Sequence, residues 1–234
     1  VHGATRQTRR ANRAPTHWQT MGGCVKKSLA LLRGEHQEEV TVSQVRMEQK
    51  QMVNGLDVDR IKGLVQMLKK QRRAGQMTMI GRTMWQEGGA ATTLFDGYEV
   101  DGVMEHTAAR DMRLEADEPI ELGATDRAPS PPETLLHALG SCIAGTASTY
   151  AALLGVNLTH LDVAVEGDLD LHGRFGLGKN VRPGYQQIHL RISIDGDADE
   201  ETLRNIAAAG YQYSTVRDTL AGGVEMVPKI EIFG

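Results

Sequence analysis

Two cysteines, Cys24 and Cys142, are the only thiols in this 234-residue chain. Cys142 lies midway along an apolar, helix-like run from Glu133 to Gly155, entered through Ala128-Pro-Ser-Pro-Pro132. A thiol inside a buried helix ordinarily behaves as a small inert hydrophobe. It becomes a nucleophile or a redox centre only where its surroundings favour the thiolate. Arg127 stands in the loop leading into the run, and Glu133 at its start. A guanidinium within about 4 to 6 Å would favour the anion, whereas an arginine in a loop is equally at home in solvent.

Ser130-Pro-Pro-Glu133 reads as a helix start. Serine caps, proline occupies the first helical position, and the glutamate three residues after the cap completes a capping box. At roughly 100° per residue, Glu133 falls on the side of a straight helix opposite Cys142. Capping is therefore its expected role from the local sequence. Leu135, Ala138 and Leu139 share the Cys142 side and are expected to meet an apolar substrate.

Other chemistry is not supported. Gly173-Arg-Phe-Gly-Leu-Gly178-Lys lacks the spacing and hydroxyl of a phosphate loop. Asp195-Gly-Asp-Ala-Asp199 has Glu200 where a calcium loop needs glycine. His137, His172 and His189 are not at metal-ligand spacing with Cys142 or with each other. No metal and no cofactor are expected.

The elements that must hold Cys142 follow from periodicity. Asp57 or Asp59 caps a helix with Val58, Ile61, Leu64, Val65 and Leu68 on one face, stopped by Gly75. Alternation marks strands over Met77–Trp85 and, after Gly88-Gly89, over Ala91–Phe95. Further strands are expected over Arg110–Ala116, around Leu161–Val165 and, most clearly, through Ile188–Ile194. Asp197-Ala-Asp-Glu200 opens a second helix, whose apolar stripe of Leu203, Ile206, Gly210 and Ser214 reaches toward a final strand, Val224–Ile232. Strands, a long helix, strands and another helix describe an α+β protein.

Composition narrows the partners. Lys+Arg number 26 against 30 Asp+Glu, a formal net charge of −4, so there is no electrostatic case for nucleic acid or a membrane surface. No apolar run reaches the length needed to span a bilayer. Two cysteines cannot make a disulfide framework, which suits a reducing, cytoplasmic setting. Residues 1–46 stand apart: Arg6, Arg9, Arg10, Arg13, Lys26, Lys27 and Arg33 all precede the first acid, Glu35. We expect a disordered tail or an over-extended start there, contributing nothing to fold or activity.

The Cys142 run resembles the signature helix of the OsmC/Ohr family, thiol proteins that reduce organic hydroperoxides. The likeness extends from about Met52 to Phe233 and includes Asn54-Gly-Leu-Asp-Val-Asp59, Trp85-Gln-Glu-Gly-Gly89, Gly167-Asp-Leu-Asp-Leu171 and Pro183-Gly-Tyr185. It points to a branch with an added N-terminal helix, here 47–75, before an OsmC-like domain, 76–234. The resemblance implies antiparallel sheets wrapped around long central helices in an intertwined homodimer. It also implies an arginine beside the thiol, positioned by a glutamate at the helix start, and a second cysteine in a Cys-Pro-Val-Ser motif.

This chain departs from that pattern twice. The hairpin that would carry the arginine reads Gly88-Gly89-Ala90, leaving Arg82, Arg110 or, best placed, Arg127 as substitutes. Ser214 in Ser214-Thr-Val-Arg-Asp-Thr-Leu220 takes the place of the second cysteine, so an external thiol, or Cys24, would have to resolve an oxidised Cys142. Two functions follow. One is a one-cysteine, thiol-dependent peroxidase, peroxiredoxin-like, acting on small hydroperoxides in oxidative-stress defence. The other is a non-catalytic protein that binds a small hydrophobic ligand at the dimer interface, with Cys142 inert.

Overall fold

The computed structural model describes residues 50–105 and 112–233, so the expectations for 1–46, for Cys24 and for Arg110 lie outside the described residues. The chain enters through a minimal hairpin, β1 (Met52–Val53) and β2 (Leu56–Asp57), turned by Asn54 and Gly55. Both have positive φ, 51° and 76°, the geometry an Asn-Gly turn adopts readily. Helix α1 (Val58–Lys70) follows, with Asp57 as its N-cap accepting from the Arg60 N–H at 2.9 Å. It ends at Lys70, ahead of Gly75, and a 3-10 turn (Arg72–Gly75) intervenes. Of the expected apolar stripe only Val58 is buried, while Leu64 and Leu68 stay exposed.

Four antiparallel strands come next: β3 (Met77–Trp85), β4 (Ala91–Val100), β5 (Val103–Glu105) and β6 (Met112–Ala116). β4 pairs with β3, β5 and β6. The second strand is thus longer than its sequence pattern suggested, because it must serve three neighbours. Large apolar side chains stand open on this sheet, Met79 at 69 % and Trp85 at 72 % exposure.

The remainder packs around α2 (Pro131–Leu154), the long helix that carries Cys142. Its buried positions Leu139, Gly140, Ile143, Ala147 and Ala151 recur at three and four residues, so one face is continuously covered. β7 (Leu158–Asp168) and β8 (Gln187–Gly196) form a two-stranded sheet over part of that face, with α3 (Leu171–Arg174) between them. α4 (Glu200–Gln212) covers the rest, and Ala147, Ala151, Val156 and Ile206 form the core, flanked by Leu161, Ile194 and Leu203. The architecture is α+β, as expected.

A second small cluster of Val53, Val58 and Ala152 ties the entry segment to the end of α2. Asn54 reinforces it, donating to the Val156 carbonyl and accepting from the Leu158 N–H, both at 2.9 Å.

Two expectations are corrected. The helix expected to run from Glu200 through Ser214 stops at Gln212, and Ser214 caps a separate helix, α5 (Thr215–Gly222). Residues 223–233 are not a strand in this chain. A strand needs a partner for its N–H and C=O groups, and no described strand pairs with this segment. Its apolar side chains are correspondingly bare, Ile230 at 85 % and Ile232 at 89 % exposure. Among the described residues, no helix is long and apolar enough to cross a membrane.

Candidate functional site

Cys142 owes its surroundings to helix crossings. α4 lies so close to α2 that a Cβ on Gly210 would sit 2.7 Å from the Ala147 Cβ and 2.9 Å from the Ile143 carbonyl oxygen. This near-contact of backbones lets the chain turn at Tyr213 and start α5 directly over Cys142. The Cys142 Sγ is half-buried and 3.5 Å from the Thr215 Oγ1. Ser214 is fully buried, and its Oγ accepts from the Arg217 N–H at 3.2 Å.

Burial pushes the Cys142 thiol up. Hydrogen bonds from the Ser214 and Thr215 hydroxyls, and from the Val216 and Thr215 backbone N–H groups, outweigh it, and the thiol falls below its ordinary value. These backbone donors belong to the first turn of α5, where N–H groups have no partner within the helix. They carry the positive end of the helix dipole, a setting known to favour thiolates.

The residues expected to share the site divide into three groups. Ser214 is beside Cys142, its hydroxyl among the groups acting on the thiol. Leu135 and Leu139 line a cavity of about 590 Å³ that also touches Tyr211, Arg217 and Leu220, whereas Ala138 is not among its walls. Cys142 is one helical turn beyond Leu139 on the same face. Tyr185 closes one side: its ring packs against Gly167, where a Cβ would sit 2.5 Å from it, and its hydroxyl donates to the Pro132 carbonyl at 2.8 Å.

Glu133 forms the expected capping box. Its Oε2 accepts from the Ser130 N–H at 2.8 Å and the Ser130 hydroxyl at 2.7 Å, and these bonds hold the carboxyl below its usual range. Its described hydrogen bonds all go to this cap. Arg127 is exposed, donating from its guanidinium to Gln86 Oε1 at 3.3 Å and from its N–H to the buried Asp117 at 3.3 Å. The guanidinium therefore stands beside the β3–β4 hairpin, and no group on Arg127 is among those acting on the Cys142 thiol. Arg82 donates to Met84 Sδ on the open sheet.

The sequence reading took Ser214 only as a substituted cysteine and passed over Thr215, Val216 and the helix start they form. The signal was present locally: a serine with Asp218 in the turn that follows is a usual helix opening. Nothing local showed that this opening faces Cys142. Among the described residues, no group of three or more His, Cys, Asp or Glu side chains could hold a metal ion.

Residues 124–229, which span α2, β7, β8, α4 and α5, match the family model described as OsmC-like protein. No curated protein matches the chain. Among solved structures, an OsmC-like protein from Mycoplasma pneumoniae is 17 % identical with a TM-score of 0.49, covering 62 % of this chain and 89 % of that one. An organic hydroperoxide resistance protein OsmC from Legionella pneumophila is 15 % identical at a TM-score of 0.43, covering 63 % and 92 %. The organic hydroperoxide resistance protein OhrB of Bacillus subtilis is 16 % identical at 0.37, covering 63 % and 93 %. The thiol-bearing helix and the elements around it lie inside the matched segment, so residues 124–229 are similar to the OsmC-like protein family.

Proposed function

We propose that this protein is a one-cysteine thiol peroxidase that reduces small organic hydroperoxides in defence against oxidative stress. The observation that carries the reading is the environment of Cys142: a half-buried sulfur that faces the start of α5 and is more acidic than an ordinary thiol. Two of the similar structures are described as organic hydroperoxide resistance proteins, which agrees with it.

In the proposed cycle the Cys142 thiolate attacks the distal peroxide oxygen. The O–O bond breaks, the leaving alkoxide takes a proton to become an alcohol, and Cys142 becomes a sulfenic acid. With serine at position 214, an external thiol condenses with the sulfenic acid, releasing water and forming a mixed disulfide. A second thiol then attacks the external sulfur of that mixed disulfide, joining the two external thiols in a disulfide and releasing Cys142 as the thiolate. The cavity walled by Leu135 and Leu139 receives the alkyl group. Glu133 and Arg127 keep their proposed site roles only if a partner subunit brings them to the sulfur.

The working unit we propose is a cytoplasmic homodimer. The open sheet with Met79 and Trp85, and the bare segment 224–233, expose more large apolar surface than a monomer ordinarily leaves in water. A second copy covering that surface would supply the strand partner that 224–233 lacks.

A binding protein with an inert thiol is the second reading, and the largely apolar cavity beside α2 favours it. The test is mass spectrometry after organic hydroperoxide treatment, in the presence of a sulfenic acid trap. The peroxidase reading expects the trap on Cys142 and no peroxide consumption by Cys142→Ser. An unmodified Cys142 under excess hydroperoxide would favour the binding protein.

A further inference from the structure

We propose that the start of α5 is the activating element of this site: the Ser214 and Thr215 hydroxyls and the Thr215 and Val216 N–H groups hold the Cys142 sulfur as the anion, in the role a guanidinium would otherwise fill. This rests on reading Cys142 as a reactive thiol and deepens it by naming the residues that make it so.

The geometry assigns every donor at this helix start. Ser214 is the N-cap, and its oxygen takes the Arg217 N–H, while its hydroxyl is among the groups that make the Cys142 thiol more acidic. The Ser214 carbonyl accepts from Asp218 at 3.0 Å, which closes the first turn. The N–H groups of Thr215 and Val216 remain, and both act on Cys142, as does the Thr215 hydroxyl at 3.5 Å. The sulfur thus occupies the place that an anion takes at a helix N-terminus.

Three guanidinium groups of this region are engaged elsewhere. Arg217 donates to the Tyr211 and Gln212 carbonyls and lies over the Tyr211 ring, 4.8 Å from its centre. Arg174 pairs with Glu118 at 2.8 Å, and Arg127 donates to Gln86. None of them is among the groups that chiefly set the acidity of the thiol.

Serine at 214 then has a positive function beyond the loss of a cysteine. A second thiol would resolve oxidised Cys142 but would donate a weaker hydrogen bond to the reduced one. The hydroxyl gives up internal resolution and strengthens the nucleophile. Substitution of Thr215 separates this role from helix stability, because Thr215→Val keeps the side-chain shape and leaves the Ser214 cap in place.

The experiment is the pH profile of Cys142 alkylation by iodoacetamide in the full chain, with Cys24→Ser present throughout so that one thiol reports. It is run for that background, Thr215→Val, Ser214→Ala and Arg127→Gln, alongside the rate of organic hydroperoxide consumption. The proposal expects Thr215→Val and Ser214→Ala each to move the profile to higher pH. Their alkylation at pH 7 should slow by about tenfold, the factor carried by one hydrogen bond to a charged group, while Arg127→Gln leaves the profile in place. A profile unmoved in Thr215→Val and Ser214→Ala but moved in Arg127→Gln overturns the proposal and returns activation to the guanidinium. A profile that moves as expected in a protein that consumes no hydroperoxide keeps the α5 assignment and overturns the peroxidase reading instead.

Discussion

Gly210 and Ala147 touch across the α4–α2 crossing with no room for one further carbon, 2.7 Å separating Ala147 Cβ from where a Gly210 Cβ would be. The crossing is the hinge point of the site, because α5 begins five residues after Gly210 and its first turn faces Cys142.

Gly210→Ala should therefore act on both stability and chemistry. Overpacking of this kind costs about 1 to 3 kcal/mol, and the neighbours it meets are backbone and Cβ atoms that cannot swing aside. Urea denaturation should report the loss. The alkylation profile of Cys142 should also move to higher pH, as α5 is pushed from the sulfur. An unchanged profile with reduced stability would mean that α5 keeps its place without this close crossing.

Ser214→Cys should convert the site into a two-cysteine centre. Position 214 is fully buried, and its hydroxyl acts directly on the Cys142 sulfur. A disulfide needs Cα atoms roughly 4.4 to 6.8 Å apart, a separation that such contact permits. After hydroperoxide treatment the variant should lose both thiols to an internal bridge, cycle with a dithiol reductant and resist over-oxidation. Loss of the serine cap should lower stability by about 1 kcal/mol. Two free thiols after treatment would show that the side chains do not meet.

Acid should loosen the loop that carries Arg127 into α2. Asp117 is buried and accepts from the Thr125 hydroxyl at 2.5 Å, the Glu118 N–H at 2.9 Å and the Arg127 N–H at 3.3 Å. The Thr125 bond first, with the backbone N–H groups in support, holds its carboxyl below the ordinary value of 3.8. A carboxyl that is more acidic when folded stabilises the fold above its unfolded pKa. That contribution disappears as pH falls through the folded value. Glu133 behaves alike at the α2 cap. The difference in urea midpoint between wild type and Asp117→Asn should be largest near pH 7 and shrink below about pH 3.8. A difference independent of pH would show that shape, and not charge, is what Asp117 contributes.

Light scattering at micromolar concentration should give the mass of two chains. Removal of residues 224–233 should weaken the assembly, because Met226, Ile230, Ile232 and Phe233 are each more than four-fifths exposed in the single chain. A full-length monomer would overturn the dimer, and a truncated dimer of unchanged strength would place its interface elsewhere.

What sequence alone determined here was local. The Ser130–Glu133 capping box and the alternation of β8 depend on residues within a few positions of each other, and both formed as read. The position of Cys142 on a long buried helix was legible for the same reason. Elements that need a distant partner were not. The alternation through Val224–Ile232 records a strand, but hydrogen bonding to another chain segment is what makes one, and among the described residues none pairs with it. The stripe on α1 records an apolar face without saying what covers it. The chemistry at Cys142 is the clearest case: Thr215 lies 73 residues away along the chain, and only the Gly210–Ala147 crossing brings the start of α5 to the sulfur. Residue type made Cys142 a candidate, and tertiary packing decided which groups face it, since thiol acidity is set by what lies within a few ångströms.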